Sequence, residues 1–346
     1  MQKNGTKSGS IDIVVGGQFG DEGKGQVCAN LMAEKKYDFA VRVGGSNAEH
    51  RFCDQQNKRF CARVLPVAAW IDPKVKIFLG AGHVIGLDSL SAEIYSLEQK
   101  WGCDQTNRIF IDPQAGVVAP AHMEENKKTW GRGSTRQGIG TSVAHKVLRD
   151  GTYKLAKEYH KLQPFIKGKV NMQIHRMLEK HNKAGLLEGS QGALLSLDHG
   201  YYPYNTSKNT TPASLLAQLG IGMKWTREIY AVYRCIPMRV PGESGPCAGR
   251  ELSWEELESK LGFTIPDRSK KQTDSREYER VFMWSWMEFG HSIVLISPTA
   301  LVLTFKDWYL GDTSFEQHVD KMEDIADCRM WMIRNGPNWE NYQLNC

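Results

Sequence analysis

Residues with the types and spacing to do chemistry begin close to the N-terminus. Gly16-Gly17-Gln18-Phe19-Gly20-Asp21-Glu22-Gly23-Lys24-Gly25 packs five glycines, two carboxylates and a lysine into ten residues. Glycines let backbone N–H groups converge on phosphate oxygens, and Lys24 adds a point charge there. Gly20, Glu22, Gly23, Lys24, Gly25 and Gln26 are therefore expected around a phosphate. This is not a Walker A loop: the spacing before Gly23-Lys24 differs, and Gly25 stands where a Ser or Thr would hold magnesium. Asp21 and Glu22 repel phosphate unless a metal or a proton transfer uses them. Downstream, GGSNAEH (44–50) follows a strand-like run and places Asn47 and His50 at a strand's C-terminal end, where open α/β sheets bind ligands.

Two more glycine-rich segments share this character. GRGSTRQGIG (131–140) precedes a helical pattern, and its Ser134 and Thr135 could hold a phosphomonoester. EGSQGALLSLDHGYYPYNTSKNTTP (188–212) crowds Gln191, His199, Thr206, Ser207 and Asn209 around a Tyr-Pro-Tyr turn. Three such loops in one chain imply two phosphorylated ligands.

Positioning them requires a sheet. IDIVV (11–15) breaks into the first loop, and the helix-like QVCANLMAEKK follows, the opening of a βαβ unit with an anion site at the helix N-terminus. Apolar runs recur at FAVRV (39–43), KIFLG (76–80), RIFID (108–112), IYAVYRC (229–235) and VLISPTALVLTF (294–305). Helical patterns lie between them, such as DSLSAEIYSLEQK and SVAHKVLRDGTYKLAKEYHKL. The alternation predicts an α/β fold with a mainly parallel sheet. No repeat or linker divides the chain, so residues 1–346 read as one domain. Residues 1–10 are expected to be flexible, and the polar, unpatterned 240–280 segment to form long functional loops.

Composition narrows the class. The 346 residues are 41% hydrophobic and 24% charged, which excludes wholesale disorder. The net charge of +5 is scattered, without the basic stripe of a nucleic-acid binder, so a small anionic ligand is favoured over a polymer. The eight cysteines show neither CxxC nor zinc spacing and read as reduced thiols of a cytoplasmic protein. The polar start lacks a secretory h-region, and the most apolar run, Ile293 to Phe305, contains Pro298 and falls short of the ~20 residues needed to span a bilayer.

Taken in order, these segments resemble the adenylosuccinate synthetase family, whose pattern is GDEGKG, NAGH, GTTGRGIG and EGAQG…YPYVTSSNT. Here they read GDEGKG (20–25), NAEH (47–50), GSTRQGIG (133–140) and EGSQG…YPYNTSKNT (188–210). The resemblance covers roughly residues 11–310. It implies a large mixed, mainly parallel sheet ringed by helices, related to phosphate-loop folds and working as a homodimer. It also implies an amination at C6 of a purine nucleotide: the 6-oxo group is phosphorylated by a triphosphate, and the amine of L-aspartate then displaces the phosphate. On this resemblance Asp21 takes the N1 proton, His50 donates beside the transferring phosphoryl group, and Lys24 neutralises charge near it. Mg2+ would be held by Asp21 and the carbonyl of Glu49. Asn47, Ser134, Thr135, Gln137, Gln191 and Thr206 would bind the nucleoside monophosphate, and Arg149 would reach across the dimer to the partner's phosphate.

The departures bear on the substrates. Gln137 replaces an arginine and Glu49 a glycine. The threonine-rich aspartate loop appears only as 273–280, with Thr273, Ser275, Arg276 and Arg280 as its aspartate-binding residues. The guanine-reading TKLD becomes Thr304-Phe305-Lys306-Asp307, losing the lysine and keeping the aspartate. GSTxQG, YPYxTSxxxTPAxxLAxxGI and RCxPxRV resemble the phage-type branch, which acts on dGMP and leads to diaminopurine DNA. That branch uses ATP or dATP, and often carries a small residue where this chain retains Asp21. The expected acceptor is dGMP or GMP, with IMP and GTP as the alternative pair. A GTP-binding regulatory protein is the non-enzymatic alternative. It would want a Walker A Ser or Thr and a regular NKxD, and neither is present.

Overall fold

The structure, a computed structural model, describes residues 9–129, 136–265 and 278–344. A nine-stranded sheet organises it, in the order Tyr342–Leu344, Arg329–Arg334, Ala300–Thr304, Thr226–Arg234, Ser10–Gly16, Ala184–Gly192, Phe39–Arg42, Lys76–Leu79, Ile109–Ile111. Every neighbouring pair is parallel except Arg329–Arg334 with Tyr342–Leu344. The strands are apolar without alternation because both faces are covered. On one face Val14, Ala40, Ile77, Leu186 and Val232 pack with Val27 and Leu31 of the Lys24–Glu34 helix. On the other, Ile13, Val15, Val41, Phe78 and Leu187 pack with Ile174, Leu215 and Phe289. The first strand lies between two strands that come much later in the chain, so the sheet's order reverses there and its C-terminal ends open a crevice.

Three sequence expectations need correction. VLISPTALVLTF is not one strand: the Trp286–Ile296 helix ends at Ser297 (φ 47), Pro298 has no N–H to continue it, and the strand starts at Ala300. The pattern from Ser142 onward is helical only to Leu148, because Arg149 turns left-handed (φ 58). The 240–280 segment is not all loop. Its described part holds the strand Glu251–Leu252 and the helix Trp254–Leu261, capped by Ser253 Oγ accepting from Glu256 N at 3.0 Å. That helix and the strands Met238–Arg239 and Arg280–Phe282 enclose a small second core around Met238, Trp254, Leu257 and Val281. At the N-terminus, Gly9 is buried and Ser10 already pairs in the sheet, so the expected flexibility of 1–10 does not hold for these two; residues 1–8 lie outside the described residues. No helix among the described residues is long and apolar enough to cross a membrane.

Candidate active site

The glycine loop leaves the first strand and folds around its own carboxylate. Glu22 has no exposed surface. Its Oε1 accepts from Gln18 N at 3.1 Å and Gly20 N at 2.9 Å, and its Oε2 pairs with Lys24 Nζ at 2.5 Å. The Glu22 side chain is therefore the loop's internal counterion. Gly23 (φ 83) makes the left-handed entry to the Lys24–Glu34 helix. Gly17 packs so closely that a Cβ there would lie 2.1 Å from the Tyr233 ring. Asp21, at φ 57, is the loop's second carboxylate and is half-buried. Its pKa is raised by burial, opposed by Arg234 and reinforced by Glu22.

His50 opens a hairpin of His50–Cys53 with Arg59–Ala62. Gln26 pins that hairpin to the helix, accepting from Cys53 N at 2.8 Å and donating to Cys53 O at 3.2 Å. The Gln26 side chain is thus a structural tie. The pin sets His50 against the loop, where a Cβ on Gly25 would stand 3.0 Å from His50 Cβ. His50 Nδ1 meets Glu188 Oε1 at 2.5 Å, and Glu188 Oε2 accepts from Val67 N at 2.8 Å. A carboxylate only accepts, so Nδ1 carries the proton and Nε2, buried and unpartnered, offers a lone pair. Burial, then Arg42, pushes the His50 pKa down to about 4 against the pull of Glu188. Burial works to raise the Glu188 pKa, but His50, Arg42 and the Val67 amide leave it lowered.

Sequence reasoning missed Glu188 and Arg42 as site residues. Arg42, wholly buried, donates to Ala48 O at 2.9 Å and Leu65 O at 3.1 Å and lies 3.7 Å from Glu188. The available clue was the apolar AGLL run directly before EGSQG, which makes EGSQG the end of a strand, Ala184–Gly192, rather than a loop. Glu49 pairs with Arg51 at 2.6 Å and Arg63 at 2.5 Å, which holds its pKa low despite burial and leaves its main-chain carbonyl to offer a cation.

The second glycine-rich segment meets the same crevice. Ser134 and Thr135 lie outside the described residues. With its amide oriented to suit both neighbours, Gln137 donates to Ser46 O and accepts from Arg63, each at 3.1 Å. Gly138 (φ 76) starts the Ile139–Leu148 helix, whose Ile139 packs on Gly45 and whose Gly140 faces Ser207. Thr206 N donates to Leu195 O at 2.8 Å, and Gln191 sits at φ 61 with its carbonyl against Gly16. Asn47 Oδ1 is buried without a partner. Arg149 is not brought to these groups: it is exposed at the helix's far end, about 15 Å along a ten-residue helix.

On the other side, the Phe305 ring lies 3.7 Å from where a Gly23 Cβ would stand, and Thr304 Oγ1 donates to Glu22 O at 2.8 Å. Arg234, also unforeseen, stacks 4.0 Å above the Phe305 ring and donates to Asp21 O at 2.8 Å. Asp307 is exposed. Arg280 is committed to Glu251 (2.6 and 2.8 Å) and to Gly245 O at 2.7 Å. It borders an open groove of about 320 Å³ with Tyr204 and Glu243. Thr273, Ser275 and Arg276 lie outside the described residues. A divalent cation fits the loop's donor set, since the Asp21 carboxylate and the Glu49 carbonyl are hard oxygens and Mg2+ takes few protein ligands beside phosphates.

The family model for adenylosuccinate synthetase matches residues 13–157 and 152–263. The adenylosuccinate synthetase of Methanococcus aeolicus is 36% identical over 256 residues, 72% of each chain. The N6-succino-2-amino-2'-deoxyadenylate synthase of Vibrio phage phiVC8 is 30% identical over 348 residues, 97% of this chain and 98% of its own. The succinoaminodeoxyadenylate synthetase of cyanophage S-2L, solved with dGMP and dATP as energy donor, shares the fold with a TM-score of 0.83 at 24% identity, covering 97% of this chain and 95% of that one. The fully ligated Plasmodium falciparum adenylosuccinate synthetase gives 0.78 at 21% identity, over 98% and 100%. With four ordered motifs around one crevice and a model match over most of its length, this chain belongs to the adenylosuccinate synthetase family of carbon–nitrogen ligases.

Proposed function

We propose that this protein joins L-aspartate to C6 of dGMP, using ATP or dATP, to give N6-succinyl-2-amino-2'-deoxyadenylate, ADP or dADP, and phosphate. The reading rests chiefly on the meeting of Asp21, Lys24 and an unpartnered His50 Nε2 around one glycine turn. Asp21, its basicity raised by burial, removes the N1 proton, so that O6 attacks the γ-phosphorus and the nucleoside diphosphate leaves. His50 is neutral in the free chain. A phosphoryl group arriving at Nε2 raises its pKa, and the imidazolium, braced by Glu188, then donates to the phosphoryl oxygens. The aspartate amine attacks C6, the C6–O bond breaks, phosphate departs and the amine sheds a proton. Asp21 and the Glu49 carbonyl would hold Mg2+, which would neutralise phosphate charge.

Asn47, Thr135, Gln191 and Thr206 would hold the acceptor with Ser134 and Gln137, and Arg149 would serve the partner's site in a homodimer. Exposed Val147 and Leu148 beside Arg149 favour that contact. Thr273, Ser275, Arg276 and Arg280 would receive aspartate. The adenine donor is favoured by likeness to the phage enzymes, one of them solved with dATP as energy donor; Phe305, which already carries Arg234 on one side, offers a flat ring that would stack on either purine. Resemblance to the two phage enzymes favours dGMP. The second reading, IMP with GTP, is favoured by the retained Asp21 and Asp307 and by the archaeal relatives. Incubation with aspartate, Mg2+, ATP or GTP, and each of IMP, GMP, dIMP and dGMP decides between them. Product mass is expected to rise by succinylation with dGMP and ATP; a product only with IMP and GTP overturns the substrate assignment.

A further inference from the structure

Lys208 is unusual for a lysine inside a site: its only partners are neutral. Its Nζ donates to Gly44 O at 2.7 Å and Gly82 O at 2.5 Å, the turns that end the neighbouring strands Phe39–Arg42 and Lys76–Leu79. No carboxylate lies within ion-pair distance among the described residues, and an ammonium has a third N–H to give. Beside it, polar atoms lack partners among the described residues: Ser190 Oγ against Gly44 and both nitrogens of His83. Thr141 Oγ1 and Ser142 Oγ, in the first turn of the Ile139–Leu148 helix, are likewise buried without partners among those residues. Ser207, its neighbour in sequence, faces Gly140 of that turn. A half-buried cation with no carboxylate in reach among the described residues, next to buried polar groups that lack partners, is a place that calls for an anion. The family pattern YPYVTSSNT has serine at this position, so the charge is a feature of this chain.

We propose that Lys208 is an additional cation for the 5'-phosphate of the acceptor nucleotide, supplied from within the chain beside the Arg149 that a homodimer would bring, and that its amine takes a proton from solvent when that phosphate binds. Burial, helped by the charge of Lys146 on the Ile139–Leu148 helix, pushes the Lys208 pKa down to about 7. The other titratable groups facing it supply no compensation, since His83 is held neutral by burial, Arg42 and Lys208 itself. At pH 8 the free lysine is mostly uncharged, while a phosphate dianion alongside favours the ammonium. This rests on the acceptor reading above and adds a proton to its binding equilibrium.

Calorimetric titration with dGMP at pH 8, in two buffers of different ionisation enthalpy, reads that proton directly. The nucleotide's own phosphate, with a second pKa near 6, is already a dianion at this pH and adds nothing. Uptake approaching about one proton per site is expected for the wild type, by the linkage relation. Lys208→Arg keeps the charge and both carbonyl contacts, and should bind without uptake. Lys208→Met should bind roughly tenfold or more weakly, the scale of one charge-assisted contact, also without uptake. Deoxyguanosine, lacking phosphate, should show none. Binding of dGMP with no buffer-dependent heat, or undiminished uptake in Lys208→Met of wild-type melting temperature, overturns the proposal while leaving the acceptor reading intact. Failure of dGMP, GMP, dIMP and IMP alike to bind overturns both.

Discussion

Asp21 and Glu22 are neighbours in sequence and opposites in structure. The spacing of the loop located both carboxylates, but not which one turned inward, because that depends on the amides of Gln18 and Gly20 closing over Glu22. His50 was legible as a reactive residue; its partner Glu188, 138 residues away, was not, since only the parallel pairing of strands brings it near. Asp21→Ala should abolish phosphate release, with nucleotide binding retained by equilibrium dialysis, since no other loop carboxylate is free to take the proton. Wild-type turnover should likewise fall as pH drops through the raised pKa of Asp21, where the base becomes protonated. His50→Ala should lower kcat by about 10²- to 10³-fold, the scale for a lost transition-state donor. Glu188→Gln keeps an acceptor for Nδ1 but removes the charge that favours the imidazolium, and should lower kcat by roughly 10- to 100-fold with little change in KM. Wild-type rates in these variants, in a steady-state phosphate-release assay, would defeat the assigned roles.

Helix ends were harder to read than strand starts. Continuous apolar runs located the Ser10–Gly16, Phe39–Arg42 and Lys76–Leu79 strands because burial on both faces writes itself into sequence. The Ile139–Leu148 helix stops at Arg149 through a left-handed turn, a local event that leaves no periodicity behind. Its last turn is held by His145, whose two ring nitrogens meet Asp150 and, at 2.9 Å, Glu125 of the Pro120–Thr129 helix. Two carboxylates facing both nitrogens require imidazolium, and these hydrogen bonds raise the His145 pKa. The contribution is complete below the unfolded value near 6.5 and is lost as pH rises through the higher folded one. Hydrogen-exchange protection of these two helices should therefore decline from pH 6.5 toward pH 9 in the wild type, and be flat in His145→Gln. Equal protection profiles for the two proteins would contradict this.

At the scale of the whole molecule, the site is the crevice where strand order reverses around Ser10–Gly16. Arg149 stands apart from that crevice on the surface, with Val147 and Leu148 exposed at 73% and 67% beside it. Mixing Arg149→Ala with Asp21→Ala subunits, each inactive alone, should restore about a quarter of wild-type activity: half of randomly assembled dimers are hybrids, each with one intact site of two. No recovery, with subunit exchange verified by mass spectrometry, would exclude a shared site. The loop's internal ion pair has a consequence for what the crevice admits. Lys24 and Glu22 cancel each other before any nucleotide arrives, which leaves Asp21 and the Arg234 guanidinium beside it as the charges the turn presents. A triphosphate would therefore find no spare positive charge from Lys24, and the charge that receives it would have to come from Arg234 or from a divalent cation that travels with the nucleotide.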